Sequence, residues 1–134
     1  MIVKWKYLLG AILLCSVLTA CSVSNEERAI GTWQVEYDGE KLDSFLIIAE
    51  DQTVTIDEGN GSGRRGTEEY RIIDTDEDSF TLEIADRTSE SYYPIFEGFF
   101  DDSDTIVLGS ESDGNQGDVL IRVGSIKEAR AELN

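Results

Sequence analysis

Histidine is absent from this 134-residue chain, which excludes Ser-His-Asp and Cys-His nucleophile arrangements, histidine zinc sites and an imidazole pH switch. Proline occurs once and cysteine twice, as Cys15 and Cys21. Basic residues are few: 11 Lys and Arg stand against 28 Asp and Glu, a formal net charge of −17. That balance argues against nucleic acid, whose phosphates are bound by Lys and Arg. No apolar run is long enough to cross a bilayer as a helix, which takes about 20 residues. The length leaves room for one domain rather than two. Apolar residues make up 40% of the chain, enough for a packed core, so disorder is not the expectation.

The N-terminus has its own organisation. Lys4 and Lys6 are followed by an apolar run from Leu8 to Leu18 and then by Leu18-Thr19-Ala20-Cys21. A basic start, a short apolar core and a small-residue cut site define a secretory signal. The ending resembles the bacterial lipobox, an aliphatic residue and two small residues before Cys. The resemblance implies cleavage before Cys21, diacylglyceryl attachment to its thiol, and anchoring of the mature chain in a bacterial envelope membrane. Ser22 resembles the sorting signal for the outer membrane in enterobacteria, which implies an anchor there facing the periplasm. Cys15 falls within the discarded segment, so the mature chain has no internal disulfide and relies on burial for stability. The expected organisation is a signal peptide at 1–20, a lipidated tether at 21–29 and one domain at 30–134. Residues 22–28 are polar and aperiodic, and extend over at most about 25 Å at roughly 3.5 Å per residue.

From Ile30 on, short β-type runs are punctuated by turn residues. The runs are Thr32–Tyr37, Ser44–Glu50, Thr53–Asp57, Glu68–Asp74, Ser79–Ala85, Tyr92–Phe100, Thr105–Gly109 and Val119–Val123. Asp38-Gly39 is a type I′ turn signal. Pro94 marks a bulge or an edge, because proline cannot donate to a ladder. Ser125 with Glu128 three places on begins a short terminal helix. Strand–helix alternation is missing, so parallel βαβ folds are excluded. The fold class is all-β, and eight antiparallel strands with short turns form either a barrel or a sandwich.

Gly31-Thr32-Trp33 at the start of the first run resembles the Gly-x-Trp motif of the lipocalins, and Arg122 in the last run stands where their closing arginine is expected. The resemblance spans about Ile30 to Val123 and rests on Gly31, Trp33 and Arg122. It implies an eight-stranded up-and-down barrel whose end is closed by Trp33 with Arg122 packed across it. The chain is shorter than a typical lipocalin and lacks that family's helix between the last strands and a disulfide.

Catalytic groups are scarce. Only Lys41 and Lys127 remain as lysines after the signal, both in solvated settings, and the carboxylates gather in turns rather than in an apolar pocket. No catalytic, cofactor or metal residue is assigned, and the chain is read as a non-enzyme. Asp74, Asp76 and Asp78 have alternating ligand spacing, but Ser79 occupies the place where a calcium loop of the helix–loop–helix type needs glycine. Gly59 to Gly66 with Arg64 and Arg65 could cradle an anion, although a hairpin tip is the simpler account.

Two functions fit. One is a barrel binding a small apolar or amphipathic molecule, with Tyr70, Tyr92, Tyr93, Phe96, Phe99 and Phe100 as candidate wall residues. The other is a protein-interaction module or inhibitor that uses its charge to bind a cationic envelope or secreted protein.

Overall fold

The structure, a computed structural model, describes residues 23–59, 64–109 and 118–134. The segment expected to be a signal peptide, with Cys15 and Cys21, lies outside the described residues. Eight strands form one closed antiparallel barrel in sequence order: β1 (Gly31–Tyr37), β2 (Glu40–Ile48), β3 (Thr53–Glu58), β4 (Arg64–Asp74), β5 (Ser79–Ala85), β6 (Tyr92–Asp102), β7 (Thr105–Leu108) and β8 (Asp118–Val123). β8 pairs back onto β1, with Trp33 opposite Arg122 and Val35 opposite Leu120. Closure leaves no free strand edge. The eight-stranded up-and-down barrel implied by the resemblance is the fold observed, and the β1–β8 ladder excludes the sandwich that the strand pattern alone left open.

Alternation builds the interior. Phe80, Leu82 and Ile84 on β5 are buried while the residues between them are half-buried, the period-2 signature of a strand with one face on a core. The core cluster adds Trp33, Leu46, Ile48, Val54, Tyr70, Phe100, Ile106 and Leu120 from the other strands. Asp38 (φ 50°) and Gly39 (φ 81°) both take positive φ, which a two-residue I′ turn requires and which feeds β1 into β2 with the correct twist. The β5–β6 ladder shifts register between Leu82 and Glu83, opposite Phe96 and Pro94, so Pro94 sits beside a bulge rather than in a regular ladder.

Two short helices flank the barrel among the described residues. The N-terminal one corrects the tether expected over 21–29. Residues Asn25–Ala29 form α1, with Ser24 as N-cap accepting from the Glu27 amide. Ala29 and Asn25 are buried, and Asn25 donates through Nδ2 to Asp74 Oδ1 at 2.9 Å. The segment lacked apolar periodicity because α1 buries only two small faces, at the end of the barrel. The second helix, α2 (Ile126–Glu132), has Ser125 as N-cap, accepting from Glu128. It lies on the outside of β1–β3, where Arg130 pairs with Asp43 (2.7 Å) and Asp57 (3.3 Å) and its guanidinium stands 5.4 Å from the Phe45 ring centroid. This explains why Phe45, in outward register beside Gln34, is only 1% exposed. Among the described residues, all eight ladders, both helices and the core lie within residues 24–133, so a chain from Ser22 onward keeps every described element.

Candidate functional site: a closed end and an open apolar cavity

The barrel's two ends differ. At one end α1 crosses the opening and aromatic side chains fill the lumen. Phe80 lies 5.2 Å from Phe100, and Phe100 6.5 Å from Trp33, between ring centroids, within the range of favourable ring contacts. The Trp33 indole, fully buried, donates to the Ala29 carbonyl at 2.8 Å. Arg122 lies over the indole at 4.3 Å from its centroid. Its guanidinium donates to the carbonyls of Ile30 and Arg28, both at 2.7 Å, and of Ser103 at 3.0 Å. Asp104 stands 3.1 Å from its Nε. One planar cation thus ties β8, the β6–β7 turn and the chain between α1 and β1 together, using the fork of donors that only arginine offers. Arg28 caps the same end from outside, 4.1 Å above the Phe100 ring and paired with Asp78 at 2.6 Å.

Gly31 fits this closure for a geometric reason. Its φ is +149°, and a Cβ there would run into the Arg122 guanidinium. Glycine is required both by the backbone and by the close approach.

At the opposite end the lumen is not filled. An apolar cavity of about 350 Å³ is lined by Val35, Leu46, Ile56, Phe96, Leu108 and Leu120, with Ser44 and Glu58 as polar members. That volume matches about a dozen waters at roughly 30 Å³ each and falls at the lower end of small-molecule sites. These side chains occupy inward positions of β1, β2, β3, β6, β7 and β8 on the mouth side of the aromatic plug; Phe45 and Ile95 also border the space. Glu58 is in register with Ser44 on one side and with Arg64 on the other.

Of the six aromatic residues expected to form a ligand wall, only Phe96 lines this cavity. Tyr70 and Phe100 belong to the packed core, and Tyr70 donates its hydroxyl to the Ala49 carbonyl. Burial raises the Tyr70 phenol above its ordinary pKa, with Glu26 and Asp51 adding to the shift. Tyr92 and Phe99 correct the expectation, since both lie in outward register. Tyr92 packs under Arg71, 4.2 Å from ring centroid to guanidinium, and donates to Glu69 at 2.9 Å; Phe99 pairs with Val107 on the outer face. Tyr93, opposite the inward Ile84, is 47% exposed at the rim. The aliphatic lining was missed by sequence reasoning, although inward parity at the mouth-side halves of the strands carried the signal.

The expected ligand spacing of Asp74, Asp76 and Asp78 is put to another use at the closed end. Asp74 accepts from Asn25 and Asp78 from Arg28, and among the described residues no group of three or more His, Cys, Asp or Glu side chains is arranged to hold a metal ion. Arg64 and Arg65 belong to β4 rather than to a glycine-rich tip; residues 60–63 of that stretch lie outside the described residues. Comparison with family models, curated proteins and solved structures finds no match to this chain.

Proposed function

We propose that this protein is a non-catalytic, membrane-anchored lipoprotein of the bacterial envelope whose lipocalin-like barrel binds a small apolar or amphipathic ligand at its open end. One observation carries the reading: the unfilled 350 Å³ of apolar-lined lumen beneath the mouth. Burying apolar ligand surface there contributes roughly 25 cal/mol per Å² removed from water. The Leu18-Thr19-Ala20-Cys21 segment supports lipidation at Cys21, outer-membrane attachment and a periplasmic domain. The described chain enters the barrel at its closed end through α1. An acyl anchor four residues before Asn25 therefore leaves the mouth facing away from the bilayer that holds it, so that ligand is exchanged with the surrounding compartment.

The test is binding of a neutral fluorescent apolar probe to the lipid-free chain from Ser22 onward. Apolar burial predicts saturable binding that does not change between low and high salt, and displacement by an envelope lipid extract. Recognition of a cationic protein through the net charge would instead weaken sharply with salt, since the Debye length is about 8 Å at 0.15 M. Absence of probe binding, together with salt-sensitive capture of a cationic envelope protein, refutes the carrier reading in favour of an interaction module.

A further inference from the structure

The rim above the cavity carries a carboxylate with an unmet need. Asp118 begins β8 and is paired with Tyr37, two places nearer the mouth than the Leu120–Val35 pair that lines the cavity. It therefore lies in the inward register. Its Oδ1 is cut off from solvent and accepts no hydrogen bond. A carboxylate oxygen held in that state is costly unless a donor reaches it. The preceding sequence, from Gly109 to Gly117, contains no Lys or Arg, and the partner across the ladder is a tyrosine. Glu58, the acid that lines the cavity itself, stands opposite Arg64 in the β3–β4 ladder. Tyr37 is 58% exposed, which leaves its ring available to a cation arriving at the mouth.

We infer that the cavity selects amphiphiles with a primary ammonium head over those with a carboxylate head. The aliphatic chain occupies the space between Leu46, Phe96, Leu108 and Leu120. The head group stands at the mouth, above the residues that line the cavity; the Asp118 carboxylate turns to accept from the ammonium, which lies against the exposed Tyr37 ring. This rests on the carrier reading and adds the head-group class to it. An anionic head would meet the same Asp118 oxygen as an acceptor facing an acceptor, with like charges at close range.

The experiment uses the chain from Ser22 onward loaded with the neutral fluorophore N-phenyl-1-naphthylamine. Decylammonium, decanol and decanoate are titrated as displacers below their micelle concentrations, at pH 7.5 and 0.3 M salt. Decylammonium is expected to displace the probe at about tenfold lower concentration than decanoate, the ratio that corresponds to about 1.4 kcal/mol. Asp118→Asn is nearly isosteric and should bring the ratio close to one while leaving decanol unchanged. Tyr37→Leu should lower it partway. Asp76→Asn removes the same unit of charge from the closed end and should leave it as it was. Equal displacement by the two ionic chains overturns the inference, as does an equal effect of Asp118→Asn and Asp76→Asn, which would assign the preference to net charge. If decanol displaces bound probe normally in either case, the carrier reading stands and only the head-group assignment falls. If the probe does not bind at all, both fall.

Discussion

Removing the Arg122 guanidinium tests whether the closed end is one cooperative unit. Three backbone carbonyls, those of Arg28, Ile30 and Ser103, accept from it at 2.7–3.0 Å, and hydrogen bonds to charged groups contribute about 1.5–3 kcal/mol each where they are shielded. The Arg122 side chain is 30% exposed, so solvent reaches the vacated carbonyls and each bond is discounted to about 0.5–1 kcal/mol, the net value of an ordinary hydrogen bond. Stacking on Trp33 adds roughly 0.5–2 kcal/mol. Arg122→Met, which keeps the aliphatic stem, should therefore cost about 3 kcal/mol. Arg122→Lys should recover little, because an ammonium cannot reach carbonyls on two sides of the indole at once. Trp33→Leu removes a fully buried indole and its bond to Ala29, and should cost about 3 kcal/mol, at the lower end of the 3–5 kcal/mol of truncation to alanine.

The informative quantity is the coupling. Once Trp33 is gone the guanidinium has nothing to lie on, and the Ala29–Gly31 backbone that it clamps has lost its own tie to the barrel. The double variant should then be about 1–2 kcal/mol more stable than the sum of the single losses predicts. Urea unfolding of the four proteins, followed by tyrosine fluorescence and far-UV circular dichroism, measures this directly. Losses that sum within about 0.5 kcal/mol, the agreement expected of independent sites, refute the closed end as a coupled unit.

Other consequences can be checked alongside it. Gly31→Ala forces a side chain into a φ of +149° and against Arg122, so thermal unfolding should show a loss of about 2–4 kcal/mol, above the 1–3 kcal/mol of backbone strain alone. Cys21→Ser should abolish acylation and leave an uncleaved precursor; a mutant still processed and still membrane-bound would remove the lipobox from the account. Because the folded-state pKa of Tyr70 is raised by burial, the folded chain holds its proton to higher pH than the unfolded chain. Its contribution to stability is complete below about pH 10 and is lost as pH rises through the folded value. Tyr70→Phe should therefore flatten part of the alkaline fall in melting temperature above pH 10. Leu108→Phe fills the cavity and should reduce probe affinity at least tenfold without lowering the melting temperature.

The strands were legible where one face is buried and the other is not. Thr32–Tyr37 and Ser79–Ala85 alternate cleanly, and Asp38-Gly39 names its turn. β2 and β4 begin earlier than the sequence suggests, at Glu40 and Arg64, because their mouth-side ends hold a single apolar residue (Leu42) and none, respectively, and so carry no alternation. α1 was missed for a related reason: Asn-Glu-Glu-Arg-Ala has no apolar stripe, and only the Ser24–Glu27 spacing marked a helix start. The aromatic wall went astray through parity. Ile95 is the extra residue of the β6 bulge, so Tyr93 and Phe96 fall on the same face three places apart, after which Gly98 and Phe100 resume the period of two. A bulge of unknown position makes every inward or outward assignment beyond it a guess.

The division of the lumen is itself an argument about function. A barrel of this size without an internal disulfide depends on burial, and space left open inside it forfeits contacts that side chains could make. The aromatic trio of Trp33, Phe80 and Phe100 shows that this chain fills lumen where closure is needed. Toward the mouth the inward positions hold Val35, Ser44, Leu108 and Leu120 instead, although a larger side chain at any one of them would occupy part of the gap. Stability alone gives no reason for that choice. A barrel serving only to display charge on its outer face gains nothing from a hollow, whereas a binding barrel requires one, and departures from a filled core belong at functional sites. The open half of the lumen, rather than the charge, is therefore the feature that separates the two functional readings.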